Sequence, residues 1–315
     1  MLNTWRWWRS IFLVFAALWA LRLVVPLPFL MEVLIFSIYA IGCSWMLGRV
    51  GFISFGQPAY LAVGAYGAAF YLYYWGGNPY LALAIGAVGG AVFSLVVGAL
   101  FVRLRSDYFA LANLALCAIV YYVFQKLLLP ITQGDNGLLF LGNIDGTPVL
   151  NLTRSGDLFT FVVLLGAVVW AFYKFLDSTV FGACCLATKA NETKLEFLGY
   201  DNYAIRLAAF VVANTTSALA GALYALYLGI VTPDMASTSR AADPIIVTIL
   251  GGAGTLWGVL VGTIAYTGLR DGVSNFVGNW ELVVGVVLVV VMLTNENGLW
   301  GVFERLTSRW KKRAA

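Results

Sequence analysis

Nine stretches of this chain stay apolar for about the length a helix needs to cross a hydrocarbon layer: 11–29, 31–48, 58–76, 79–102, 107–129, 157–176, 204–230, 244–269 and 280–300. A bilayer core of roughly 30 Å takes about 20 residues at the α-helical rise. Barrel strands need only about 10 residues of alternating polarity, so runs this long exclude a barrel. Lipid then leaves only helices, because each segment must satisfy its own backbone N–H and C=O groups. The balance of residue types agrees. Hydrophobic residues make up 61% of the 315 and charged residues 11%, against roughly 45–50% and about 25% in water-soluble domains. The expected fold is an all-α integral membrane protein of about eight to ten transmembrane helices, forming a single domain over residues 1–315. The first run follows Arg6 and Arg9, exceeds a signal h-region and lacks a clear small-x-small site after it, so it reads as a retained span.

Charge sets the orientation. With the amino terminus in the cytoplasm, fourteen of the nineteen lysines and arginines fall on cytoplasmic segments, among them Arg49, Arg103, Lys189, Lys194 and the tail at 305–313. Arg22, Lys126, Arg154, Arg240 and Arg270 fall outside. Positive charge is retained inside, so both termini and residues 177–203 are expected in the cytoplasm. Two termini on one side require an even number of crossings, and the run 244–269 resolves the parity. Its centre, GGAGTLWG at 251–258, predicts a segment that descends, turns and returns. A matching interruption, GRVGFISFGQPAY, occupies 48–60. Irregular backbone at membrane depth is tolerated only against protein or a water-filled cavity, and interrupted segments in opposite halves mark substrate paths in transporters. The competing role for such glycines is close helix packing, which is the expectation for GGAVFSLVVG at 89–98.

The absences also constrain function. There is no histidine for a proton relay or a metal. Cys43, Cys117, Cys184 and Cys185 lack ligand spacing and lie in spans or face a reducing compartment, so disulfides are not expected. No GxxxxGK[ST] motif is present, so ATP hydrolysis is not expected in this chain. Every acidic residue lies in a loop or near a span end, and none is expected at the midplane, where ion-coupling carboxylates sit. Any energy for uphill movement would therefore enter from outside. Arg22 and Glu32 flank the PLP at 26–28 and are expected to pair or to anchor the outer face.

The polar interval 177–203 stands out between two spans. Residues 187–199 read as one short helix, with Leu186, Ala190 and Leu195 on one side, Glu192 and Glu196 a turn apart on another, and Gly199 as a C-cap glycine. A helix so short needs a partner surface. It is either a solvated connection or a docking helix for a cytoplasmic partner.

Five dispersed motifs carry a resemblance. GRVGFISFGQPAYLAVGAYGAA (48–69), VRLRSDYFALANLAL (102–116), GALYALYLGIVTPDM (221–235), ILGGAGTLWGVLVG (249–262) and NGLWGVF (297–303) stand in the order seen in the permease subunits of branched-chain amino acid ABC importers, the LivM-like family. ATKANETKLEFLGYD (187–201) is similar to that family's coupling segment. The chain departs from the family at Cys184 and Cys185, where basic residues are usual, at Ala190, where glutamate is, and at TQGDNGL (132–138), Ser106 and Asn113. The Asp107–Tyr108 pair leans toward the amino-acid branch rather than the urea branch.

The resemblance implies a permease in the bacterial inner membrane, forming half of a translocation pathway with a second, related permease. Two cytoplasmic ATPases, which would hold ATP and magnesium, and a periplasmic solute-binding protein would complete the importer; the chain itself would need no cofactor and would bind no nucleic acid. Asn191, Glu192, Leu195, Glu196, Leu198 and Gly199 would then form the coupling surface. The path is expected along Ser54, Gly56 and Gln57 in the first break, Tyr108 and Asn113 in the fifth run, Asn214 and Thr215 in the seventh, and Gly252, Gly254, Thr255 and Trp257 in the second break. Interhelical hydrogen bonding is the competing role for each polar group. Rival readings are the same importer type carrying urea, an amide or an aromatic acid, a stand-alone secondary transporter or channel, and a structural or receptor subunit.

Overall fold

In the computed structural model, which describes residues 4–144, 152, 154–274, 280–294 and 298–301, the apolar runs become helices. These are α1 Thr4–Leu21, α2 Leu27–Arg49, α3 Gln57–Tyr74, α4 Pro79–Phe101 and α5 Ser106–Tyr122, the last passing into a π-helical turn at Val123–Leu127. A short α6, Leu129–Thr132, is followed by α7 Ser155–Ser178, α8 Val180–Ala190, α9 Glu192–Phe197 and α10 Asn202–Leu228. The chain closes with α11 Asp243–Gly251, α12 Leu256–Ser274 and α13 Trp280–Thr294. Among the described residues, α2, α4, α5 with its π-turn, α7 and α10 are each long and apolar enough to cross a membrane. The basic tail at 305–313 and Arg6 and Arg9 lie outside what the structure describes in side-chain detail.

Local chemistry sets the boundaries. Pro28, Pro58, Pro79 and Pro244 sit in first turns, where a missing N–H costs nothing. Asn78, Thr179, Asn191 and Asp201 each accept a bond from an unpaired first-turn N–H. Gly229 closes α10 in the left-handed conformation at φ 72°.

α10 is the central helix, packed on α2, α3 and α4 through small residues. A β-carbon added at Gly86 would lie 2.9 Å from that of Ala222, and one at Gly98 would lie 2.7 Å from the Phe210 ring. Gly90 lies against Ala218 and Gly221 against the Leu61 carbonyl. The stretch 89–98 therefore serves packing, as its spacing predicts, although Gly89 itself meets open space. The opposite faces carry exposed Val88, Val92 and Val96 on α4, and Leu164, Val168 and Phe175 on α7, the surface a lipid environment requires.

Both interruptions are real breaks. After α2 ends, residues 50–56 run back into the protein, with Gly51 at φ 86°, so that α3 begins beside the middle of α10, where Ser217 donates to Gln57. In the other half, 3₁₀ turns at Pro233–Ala236 and Thr238–Ala241 pack against α3 and α5 and carry the chain down from the end of α10. α11 then runs on, the chain turns at 252–255, and α12 returns beside it at a bend of 116°. Val247 and Gly251 lie against Gly262 across this hairpin. The re-entrant geometry expected of 244–269 is thus present.

Asp243 is close to a run boundary in sequence, yet α11 starts partway through the protein. Asp243 accepts a hydrogen bond from Tyr266 at 2.8 Å and shares a cavity with Tyr39, near the middle of α2. A carboxylate at the start of a half-helix therefore faces a cavity between the helices. A half-helix can begin anywhere along the bundle, and distance to the nearest polar loop does not give its depth.

Candidate functional site

Three regions hold the chemistry. At the α8–α9 end, Gly48 near the end of α2 abuts Gly254 in the re-entrant turn. Gly254, at φ 78°, donates its N–H to Ser44 at 3.3 Å. Lys189 of α8 donates to the carbonyls of Leu47 and Gly48 at 3.4 and 3.1 Å, placing its charge on the C-terminal end of α2. Arg49 pairs with Asp177 at 2.7 Å, and Trp45 donates to the same carboxylate at 2.9 Å.

α8 and α9 form one bracket with a break at Asn191, not the single helix over 187–199 that the periodicity predicts. Asn191 leaves helical geometry to cap α9 by accepting from the Lys194 N–H at 3.0 Å. The far end closes as a Schellman turn: Gly199, at φ 84°, donates to Glu196, and Tyr200 donates to Leu195. The two glutamates diverge. Glu192 accepts from Arg206 at 3.3 Å and from Asn202 at 3.1 Å, while Glu196 is exposed. Arg206 also donates to the Leu104 carbonyl and lies 4.0 Å over the Phe52 ring, which ties the bracket to the body. Leu195 is 4% exposed and packs inward, whereas Phe197 and Leu198 are 87% and 75% exposed. Sequence pattern missed Phe197, because it groups Leu195 with Leu186 and Ala190 on one helix face across the break at Asn191 that ends the period.

In the middle of the protein, Gln57 accepts from Ser217, and Asn113 donates to the Phe109 carbonyl at 2.9 Å and accepts from Tyr60 at 3.5 Å. Ser54 accepts from the Gly56 N–H, and Gly56 leaves no room for a β-carbon beside Asn113. Asn214, one turn from Ser217, is buried with neither side-chain atom bonded, and the Gln57 Nε2 is likewise unbonded. Buried amides of this kind are satisfied by water or a ligand.

At the opposite end a cavity of about 530 Å³ opens between α2, α10, α11 and α12. Glu32 and Arg270 form an ion pair on its wall, and Arg240 pairs with Asp234 at 2.6 Å. Arg22 does not reach Glu32; its guanidinium lies 3.9 Å over the Trp19 ring.

The family profile described as branched-chain amino acid transport system / permease component matches residues 25–293. The chain belongs to this family. Relatives include the high-affinity branched-chain amino acid transport system permease protein LivM of Escherichia coli K12, 25% identical over 84% of this permease and 68% of LivM. LivH of the same strain is 22% identical over 84% and 91% of the two chains. The probable LivH of Methanocaldococcus jannaschii is 27% identical over 82% and 84%. No solved structure matches the permease.

The structure divides the expected path residues. Gly252, Gly254 and Thr255 form the re-entrant turn, with Trp257 half-buried beside it; Thr255 accompanies them by bonding the Gly252 carbonyl at 2.8 Å. Ser54, Gly56, Gln57, Asn113 and Asn214 gather in the middle, whereas Thr215 bonds back to its own helix at Val211. Tyr108 is 66% exposed on the outside of α5 and joins neither group. None of these residues lines the cavity. Its charged residues were visible in sequence only as loop and span-end charges, since Glu32 and Arg270 meet across 238 positions.

Proposed function

We propose that the permease is the membrane subunit of an ATP-driven importer for branched-chain or related amino acids, that it forms half of the translocation pathway, and that it receives the push of cytoplasmic ATPases through α8 and α9. The observation that carries this reading is the bracket itself. Its tip offers Glu196, Phe197 and Leu198 to solvent, while Lys189, Glu192, Leu195 and Arg206 fasten it to α2 and α10. A surface that presents apolar side chains on a fastened base suits a partner groove, and a displacement there would move α2 against the re-entrant turn. Asn191 and Gly199 act by shaping the two ends of α9.

In this reading the α8–α9 end and both termini face the cytoplasm of a bacterial inner membrane. ATP and magnesium belong to two ATPase partners, a second permease completes the pathway, and a periplasmic solute-binding protein delivers the solute. The unbonded Asn214 amide and the free Nε2 of Gln57 line the route or its water in the middle of the protein.

Reconstitution tests it. The permease incorporated with its cognate ATPases and second permease should carry leucine into vesicles only when ATP and the binding protein are supplied. Uptake by this chain alone without ATP, or labelling of residues 187–199 from the outer face, would overturn the reading.

A further inference from the structure

Two cationic side chains fastened at the α8–α9 bracket grip the first interruption. The stem of Lys189 lies over Gly51, where an added β-carbon would come within 3.0 Å of it. The Arg206 guanidinium lies 4.0 Å over the ring of the next residue, Phe52. Arg206 is itself held by Glu192 at 3.3 Å and by the Leu104 carbonyl at 3.2 Å. From Phe52 a column of rings leads into the protein. Phe109 of α5 lies 5.3 Å from it, Phe210 of α10 5.5 Å further on, and Tyr60 of α3 5.6 Å beyond that. The last two contacts are edge-on, at 74° and 89°. Tyr60 ends the column by donating to Asn113. All four rings are buried.

Packing alone accounts for Phe109, Phe210 and Tyr60, which sit on helices. Phe52 differs in two ways. It stands on irregular backbone next to Gly51 at φ 86°, so its ring can move without bending a helix. One of its faces is held by a cation whose counter-charge, Glu192, belongs to α9. Ring faces attract guanidinium groups most where water is excluded, and the Arg206 side chain is only 12% exposed. Coupling between distant sites is carried by packed side chains and rigid elements that have two discrete arrangements. We propose that Arg206 and Phe52 are positioning residues of transport. Arg206 draws Phe52 along when α9 moves, and the column of rings passes that shift to α3 at Tyr60 and to Asn113. The bracket then acts on both interruptions, on the second through Lys189 and the Gly48–Gly254 contact, and on the first through Arg206. This rests on the reading of α8 and α9 as the dock for the ATPases.

The test uses vesicles that hold the whole importer, with leucine as the probe, and reads leucine carried per ATP hydrolysed. Phe52→Leu keeps an apolar side chain of similar size and removes the ring. ATPase capture and ATP hydrolysis should stay within ~2-fold of wild type, while leucine per ATP falls by ~5-fold or more. Phe52→Tyr keeps the ring and should hold the ratio within ~2-fold of wild type. Arg206→Lys keeps the charge toward Glu192 but loses the planar face, and should lower the same ratio. An unchanged ratio in Phe52→Leu, or an equal fall in Phe52→Tyr, would overturn the proposal. Loss of ATPase capture together with a lowered melting temperature in Phe52→Leu would also overturn it, because that is how a plain core residue behaves. If Phe52→Leu does not insert, Arg206→Lys decides, an unchanged ratio there counting against the proposal. Uptake of leucine by the wild-type importer without ATP refutes the coupling reading itself, whereas a coupled wild type with an indifferent Phe52 refutes only this inference.

Discussion

Gly48 and Gly254 meet backbone to backbone, so that a β-carbon added at Gly254 would lie 2.9 Å from the Gly48 Cα, and one added at Gly48 would meet the Gly254 nitrogen at the same distance. This contact joins the two interrupted segments, one from each half of the chain. It sits directly above the Lys189 side chain, which bonds the Gly48 carbonyl. A movement of α8 therefore has a short mechanical route to the re-entrant turn.

Gly254→Ala should lower ATP-driven uptake by ~10-fold or more, because φ of 78° alone costs an alanine about 1–2 kcal/mol and the Gly48 backbone cannot yield. Gly48→Ala, at an ordinary helical position, should do the same through contact alone. Uptake assays beside thermal melts check both; normal uptake in either variant refutes a role for the junction in transport.

Lys189→Met keeps the side chain's length and removes its bonds to Leu47 and Gly48. ATPase subunits should still co-purify while uptake falls several-fold. Loss of co-purification instead would place Lys189 in the docking surface rather than in transmission.

Phe197→Asp should abolish ATPase capture yet leave the melting temperature of the isolated chain unchanged, since exposed positions shift stability by only ~0.5 kcal/mol. Leu195→Ala should behave in the opposite sense. It removes a buried anchor and should destabilise the bracket by ~2 kcal/mol, seen as faster amide exchange over α8 and α9.

Burial pushes the Cys185 thiol in α8 from 9.0 up to about 12, with the neighbouring Cys184 as the next cause. In the folded protein the thiol stays protonated at neutral pH, so N-ethylmaleimide should label Cys185 far more slowly than in denaturant. The sign for stability follows. Folded and unfolded thiols are both protonated below about pH 9, so the full contribution is present there, and it is lost as pH rises toward 12. A melting temperature that rises between pH 9 and 11 in wild type relative to Cys185→Ala would contradict this.

Much of the architecture was legible. Runs of about 20 apolar residues can only be membrane helices, and GGAGTLWG announced its turn because glycines at positive φ and a polar Thr255 do not continue a helix in lipid. The α9 cap at Gly199 was equally plain. What stayed hidden depends on long-range placement. Leu195 and Leu198 look alike in sequence, and only the break at Asn191 turns one inward and the other out. Glu192 and Glu196 share a spacing, but Arg206 from the next helix claims one of them. Asp243 gave no sign of facing a cavity with Tyr39 and Tyr266, since that follows from where α11 begins against α2. The cavity combines residues from α2, the 3₁₀ turns, α11 and α12, and no local pattern links them.

The descent from Gly229 to Asp243 has a consequence for how this chain is made. A nine-residue helix approached through 3₁₀ turns cannot be released sideways into lipid as a finished piece, because its leading peptide groups would enter oil without partners. It has to wait beside the translocon or at the surface until α2, α3, α5 and α10 have assembled a groove to receive it. Biogenesis should therefore end with this insertion, and quality-control proteases would find 229–255 the last part of the newborn protein to become safe from them.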